Sequence, residues 1–116
     1  MLEPLEPVIL PPQGSIISDD YKRVTAGVGS KIDALKGATI TIICEVKGVP
    51  KPKVSWTKDG QNISPDERVV LGPNGTLIIR DSTVDDSDNY TCTARSRTGQ
   101  SSSTSPVAVL GKTVSV

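Results

Sequence analysis

Thr39-Ile40-Thr41-Ile42-Ile43-Cys44-Glu45-Val46 decides the fold class. Ile40, Ile42, Cys44 and Val46 share one face of an extended chain, while Thr39, Thr41 and Glu45 share the other; Ile43 breaks the pattern. Such alternation marks a half-buried strand, here with a thiol on its inner face. A second strand of the same kind, Asn89-Tyr90-Thr91-Cys92-Thr93-Ala94, turns Tyr90, Cys92 and Ala94 inward. Between them lies Val54-Ser55-Trp56-Thr57-Lys58, with Val54 and Trp56 inward. The plainest physical account is a disulfide pinning two sheets together with an indole packed over it. A reduced pair in a reducing compartment is the alternative. Given the right geometry, a link closing that separation stabilises the chain by about 4 kcal/mol, which is comparable with the net stability of a small domain.

Working outward, turn signals recur at short intervals, as in an antiparallel sandwich. Lys36-Gly37, Lys47 to Pro52, Asp59-Gly60 and Gly72 to Gly75 separate the apolar runs. Arg68 to Leu71, Thr76 to Arg80 and Thr104 to Leu110 read as further strands, with Leu77, Ile79, Val107 and Val109 inward. Asp81 to Asn89 is a polar bend with Val84 as its one apolar anchor, and Arg95 to Ser101 is a hairpin tip. Residues 1–15 read as an extended linker or first edge strand, because Pro4, Pro7, Pro11 and Pro12 exclude helix. Ile16-Ile17 and Tyr21 to Val24 are candidates to pair at an edge. The domain proper is expected over 16–110, with a tail at 111–116.

Composition narrows the function classes. The chain has 116 residues, one domain's worth, and one Trp, two Tyr and no Phe. Branched aliphatics must therefore fill the core. Thirteen basic and thirteen acidic residues cancel, so there is no global drive toward nucleic acid or membrane. No apolar run approaches membrane-span length. Met1-Leu2-Glu3-Pro4 lacks the apolar region of a leader, and the expectation is a segment excised from a longer protein. Compartment is indicated by asparagine: all three, Asn62, Asn74 and Asn89, begin Asn-x-Ser/Thr acceptors, which favours secretion and possible N-glycosylation. Pro65 directly after the first acceptor argues against its use.

Cys44, Trp56 and Asp86-x-x-x-Tyr90-x-Cys92 together resemble the immunoglobulin superfamily. Gly48-x-Pro50-x-Pro52-x-Val54-x-Trp56-x-Lys58-Asp59-Gly60, then Leu77-x-Ile79, Ala94 and Gly99, resemble its I-set subgroup over about residues 37–110. The resemblance implies an all-β, Greek-key sandwich of two antiparallel sheets, a Cys44–Cys92 disulfide and Trp56 packed on it. It implies structural roles as well. Tyr90 is the tyrosine corner, Asp86 pairs with Arg68 across one end, and Leu77 and Val84 pack under Trp56. Two departures stand out. Ser96 replaces an Asn common in the subgroup, and Pro11 to Gly37 is long enough to require a loop or bulge near residues 18–30. The sequence also resembles the immunoglobulin modules of matrix proteins of the ADAMTS-like and papilin group, which lack a protease domain.

Chemistry offers little competition to a binding role. There is no histidine, and the cysteines read as structural, so no enzyme, cofactor or metal is expected. Asp85, Asp86 and Asp88 lack the glycine and terminal glutamate of a calcium loop. Basic residues are the stronger candidates: Lys47, Lys51, Lys53 and Lys58 around the second turn, with Arg95 and Arg97 at the hairpin tip. Strands three and six of such a sandwich are neighbours, so Lys53, Ser55, Thr57, Thr91, Thr93 and Arg95 are expected on one sheet face. A basic patch there would suit a sulfated glycosaminoglycan, and an unpaired strand edge would suit a protein partner. The expected function is a non-catalytic binding and spacing module of a secreted or cell-surface protein, monomeric by itself. The alternative is an intracellular module of a giant muscle scaffold that bears load.

Overall fold

The computed structural model describes residues 5–11, 15–17, 22–72 and 75–111. Among them the strands run β1 (Leu5–Ile9), β2 (Ser15–Ile17), β3 (Arg23–Gly27), β4 (Ile32–Leu35), β5 (Thr39–Ile43), β6 (Val46–Val49), β7 (Lys53–Lys58), β8 (Gln61–Asn62), β9 (Val69–Leu71), β10 (Leu77–Ile79), β11 (Asp88–Ser96) and β12 (Gly99–Leu110). A 3-10 turn, Val84–Asp86, precedes β11. One sheet has the order β2-β3-β5-β10-β9 and the facing sheet β4-β12-β11-β7-β8; β1 and β6 form a small third sheet. Two pairs, β3–β5 and β4–β12, are parallel, and the other described pairs are antiparallel.

The alternation read in β5 is realised. Ile40 and Ile42 are fully buried, and Ile43 breaks out to the surface. Between the sheets lie Val24, Ile32, Ile40, Ile42, Leu77, Ile79, Val107 and Val109 around Trp56, Tyr90 and the two half-cystines. The Asp59-Gly60 turn closes the β7–β8 hairpin with both residues at positive φ, +49° and +80°. The chain leaves the first sheet through the turn after β3, where the Gly29 N–H donates to the buried Ser105 hydroxyl at 2.8 Å.

Two expectations are corrected. Of the loop foreseen near residues 18–30, residues 18–21 lie outside the described residues, but Arg23–Gly27 forms β3. Val24 and Ala26 point inward from it, so the extra length becomes a β2–β3 hairpin laid along the sheet edge. Ile17 pairs with Val24 in it. Val84, foreseen beneath Trp56 with Leu77, is 50% exposed, whereas Leu77 is fully buried. The 3-10 turn presents Asp86 inward to its hydrogen-bond partners, and Val84 is left outside beside Gly111.

Candidate binding surface

The buried framework sets which residues remain free for contact. Cys44 and Cys92 are bonded and completely buried. Trp56 stands directly opposite Cys92 in the β7–β11 register, and its indole N–H donates to the Gly75 carbonyl at 2.8 Å. Gly75 has φ +78°, and a Cβ there would lie 3.1 Å from the Cys44 carbonyl and from a Val54 methyl. That approach and the positive φ favour glycine.

At the far end of the sandwich, the Tyr90 hydroxyl donates to the Asp86 carbonyl at 2.6 Å. Burial pushes the phenol's pKa up, and the Asp86 charge adds to that. The Asp86 carboxylate accepts from Arg68 and from the Thr83 amide. Burial alone would raise its pKa. The hydrogen bonds from Arg68 and Thr83, with the charges of Arg68 and Lys58, outweigh burial and hold it below the usual carboxylate value. Asp86 is thus committed to the fold, and Asp88 accepts from its neighbour's amide. Among the described residues no group of three metal-ligating side chains converges.

The outer face of the β4-β12-β11-β7-β8 sheet is built differently. Register places its residues in rows across the strands. Lys53, Arg95 and Gln100 form the first row, Ser55, Thr93 and Ser102 the second, and Asn62, Thr57, Thr91 and Thr104 the third. Hydroxyls pair along these rows: Thr93 with Ser102 at 3.1 Å, and Thr91 with Thr104 at 2.8 Å. Arg95 donates to Gln100 at 3.0 Å. No carboxylate partners Lys53, Arg95 or Arg97 among the described residues. Lys53 and Arg95 are like charges placed directly opposite each other, an arrangement that costs stability.

The structure divides the basic residues named from sequence. Lys53, Arg95 and Arg97 are exposed at the hairpin end of this sheet. Lys47 lies on β6, and Lys51 on the wall of an open groove of about 700 Å³ beside Trp56 that Glu45 also lines. Lys58 belongs to the other end of β7, where its ammonium donates to the Asp85 carbonyl at 2.9 Å. Asn62 and Asn89 are exposed, and the alternation along β8 and β11 puts both on the outer face; Asn74 lies outside the described residues. Sequence reading grouped the lysines by proximity in the chain and missed this separation. Strand parity would have found it, since Lys53 and Lys58 differ by an odd number of residues.

Comparison with known proteins gives a consistent picture. The model of the immunoglobulin I-set domain matches residues 23–109. Human ADAMTS-like protein 3 is 32% identical over 104 residues, which is 90% of this chain but 6% of that protein. Extracellular domains 3–5 of Drosophila OTK superpose with TM-score 0.72 at 27% identity, covering 91% of this chain and 32% of that one. Titin domain M7 superposes with TM-score 0.74 at 22% identity, covering 94% of this chain and 98% of that one, a likeness of fold alone.

Proposed function

The chain belongs to the immunoglobulin I-set family, and from that membership we propose that it is a non-catalytic binding and spacing module of a longer secreted or cell-surface protein. The observation that carries the reading is the outer sheet face. Its first row sets Lys53 against Arg95 without a carboxylate partner among the described residues, above rows of hydroxyls that offer donors and acceptors. That is a surface suited to a sulfated polysaccharide or an acidic protein segment. Two positive charges set side by side attract an anionic partner. Likeness to ADAMTS-like protein 3 and to extracellular domains of OTK supports placement outside the cell. Titin M7, at 22% identity, speaks only to the fold and lends the muscle-scaffold reading no weight.

Heparin chromatography tests the ligand class. The wild-type domain elutes later than a neutral control domain, and Lys53→Ser with Arg95→Thr removes the delay. Salt weakens the retention, because exposed charges are screened within about 10 Å at 0.1 M and about 3 Å at 1 M. Coelution of wild type with the control overturns the polysaccharide reading. Placement is tested by expression through the secretory route: glycosidase digestion lowers the mass if Asn62, Asn74 or Asn89 carries a glycan.

A further inference from the structure

β1 lies outside the matched family region, yet the folded domain is cut to receive it. It runs antiparallel to β6, with Leu5 opposite Val49 and Ile9 opposite Val46. It also packs on the β11–β12 hairpin. Gly48 makes the seat, and Gly99 flanks it. A Cβ on Gly48 would come 2.9 Å from the Pro52 ring and 3.2 Å from the Pro7 Cα. Gly99 holds φ +148°, and a Cβ there would touch Glu6 and Pro7. Pro7 is buried in this notch, and Ile9 packs against the core. The Thr98 hydroxyl, braced by Ser96 at 2.8 Å, donates to the Leu5 carbonyl at 3.0 Å and latches the strand.

The strand is nevertheless held sparsely. Pro7 has no N–H to give, and the register slips between Leu5 and Val8. Leu5 and Val8 remain 58% and 51% exposed. An interrupted register and one shape-matched proline are the properties of a docked peptide, bound by strand addition with a pocket for one side chain. A segment held this way opens at far lower cost than the disulfide-bonded core.

We propose that the notch formed by Gly48, Pro52, Thr98 and Gly99 is a docking site for an extended, proline-bearing apolar strand of a partner protein. β1 fills it in cis as the resident ligand. The chemistry of the partner follows from the resident: a buried proline and, two positions on, an apolar residue that packs against the core as Ile9 does.

The test uses the full chain with a specific protease site inserted between Pro12 and Gln13. After cleavage of the folded protein, the N-terminal fragment stays associated through gel filtration. A labelled synthetic peptide of residues 2–12 exchanges with it, and the uncut chain takes up little of that peptide because its own strand is tethered in place. Pro7→Asp in the peptide weakens competition by about ten-fold or more, and Gly48→Val in the cut chain releases the fragment to a similar degree, as expected for overpacking a matched contact. Three results overturn the proposal. In one, the fragment departs and the still-folded chain binds no peptide. In another, cleavage abolishes the sheet signal in circular dichroism, making β1 an obligate part of the fold. In the third, cut and uncut chains bind the peptide equally, which puts the site elsewhere.

Discussion

Arg68 and Asp86 meet fork to fork, Nη1 to Oδ2 at 2.8 Å and Nη2 to Oδ1 at 3.1 Å, with the carboxylate side chain 6% exposed and the guanidinium 38%. The pair joins the segment before β9 to the 3-10 turn before β11, so it ties the two sheets at the end away from the β11–β12 hairpin. Removing Arg68 leaves a buried carboxylate short of its main partner. Arg68→Ala is therefore expected to cost about 3 kcal/mol, and Arg68→Lys to recover little because the planar fork is lost. Urea denaturation of both variants, and of the Arg68→Ala/Asp86→Ala double variant, gives the coupling directly. A double variant that loses the full sum of the two single losses would mean the two side chains act separately.

Acid stability follows from the same carboxylate. The folded pKa of Asp86 lies below its ordinary 3.8. Its contribution is therefore fully present above the unfolded value and is lost as pH falls through the folded one. Exposed Asp66, whose carboxylate accepts from the Val69 and Arg68 amides, is lowered in the same direction. Denaturation midpoints are expected to be flat above about pH 5 and to fall below it. Asp86→Asn should show a shallower acid slope that Asp66 still keeps above zero.

Trp56 and Gly75 form the second tie. Trp56→Phe deletes the donor to a partly buried carbonyl and leaves a void beside the disulfide, at an expected cost of about 2–3 kcal/mol. Gly75→Ala must place a Cβ against the Cys44 carbonyl from a positive φ, at a cost of about 1–3 kcal/mol. Chemical denaturation measures both, and a Gly75→Ala variant as stable as wild type would show that the loop yields.

Replacing both cysteines by alanine should cost about 4 kcal/mol, with a flatter dependence where the unfolded chain keeps residual structure. The bond itself should resist reductant in the native state, since both sulfurs sit at 0% exposure. Thiol labelling under native conditions is expected to proceed only as fast as the domain unfolds.

Arg95→Glu separates stability from binding. Turning a like-charge pair with Lys53 into an opposite one should stabilise the sheet by about 0.5 kcal/mol, raising the melting temperature by about 2–4 °C. The same change is expected to shorten heparin retention. A variant that melts lower would show that Lys53 and Arg95 already avoid each other.

The parts of the fold legible in sequence were those carried by period-two alternation and by residues with one plausible use. Ile40, Ile42, Cys44 and Cys92 fall on inner faces because a strand has only two sides. Val84 misled for the opposite reason. In a short polar bend no period operates, and hydrogen bonding to Asp86 decided which side chain turned inward. The edge pairing of β2 with β3 was legible in Ile16-Ile17 and Tyr21 to Val24, but the extent of β3 was not, because Val24 and Ala26 alternate over too few residues to set its end. The binding face was half legible. Strands three and six were placed side by side, but β12, which completes each row with Gln100, Ser102 and Thr104, carries a serine-rich run with no apolar period to orient it.

The position of Trp56 beside Cys92 also gives the protein a built-in optical gauge. A disulfide in contact with an excited indole accepts an electron from it and darkens its emission. This chain holds one tryptophan, and the register sets it opposite a half-cystine. Native molecules should therefore be dim, and unfolded or reduced ones bright, so that loss of the folded framework can be followed by intrinsic light alone, without a label anywhere on the binding face.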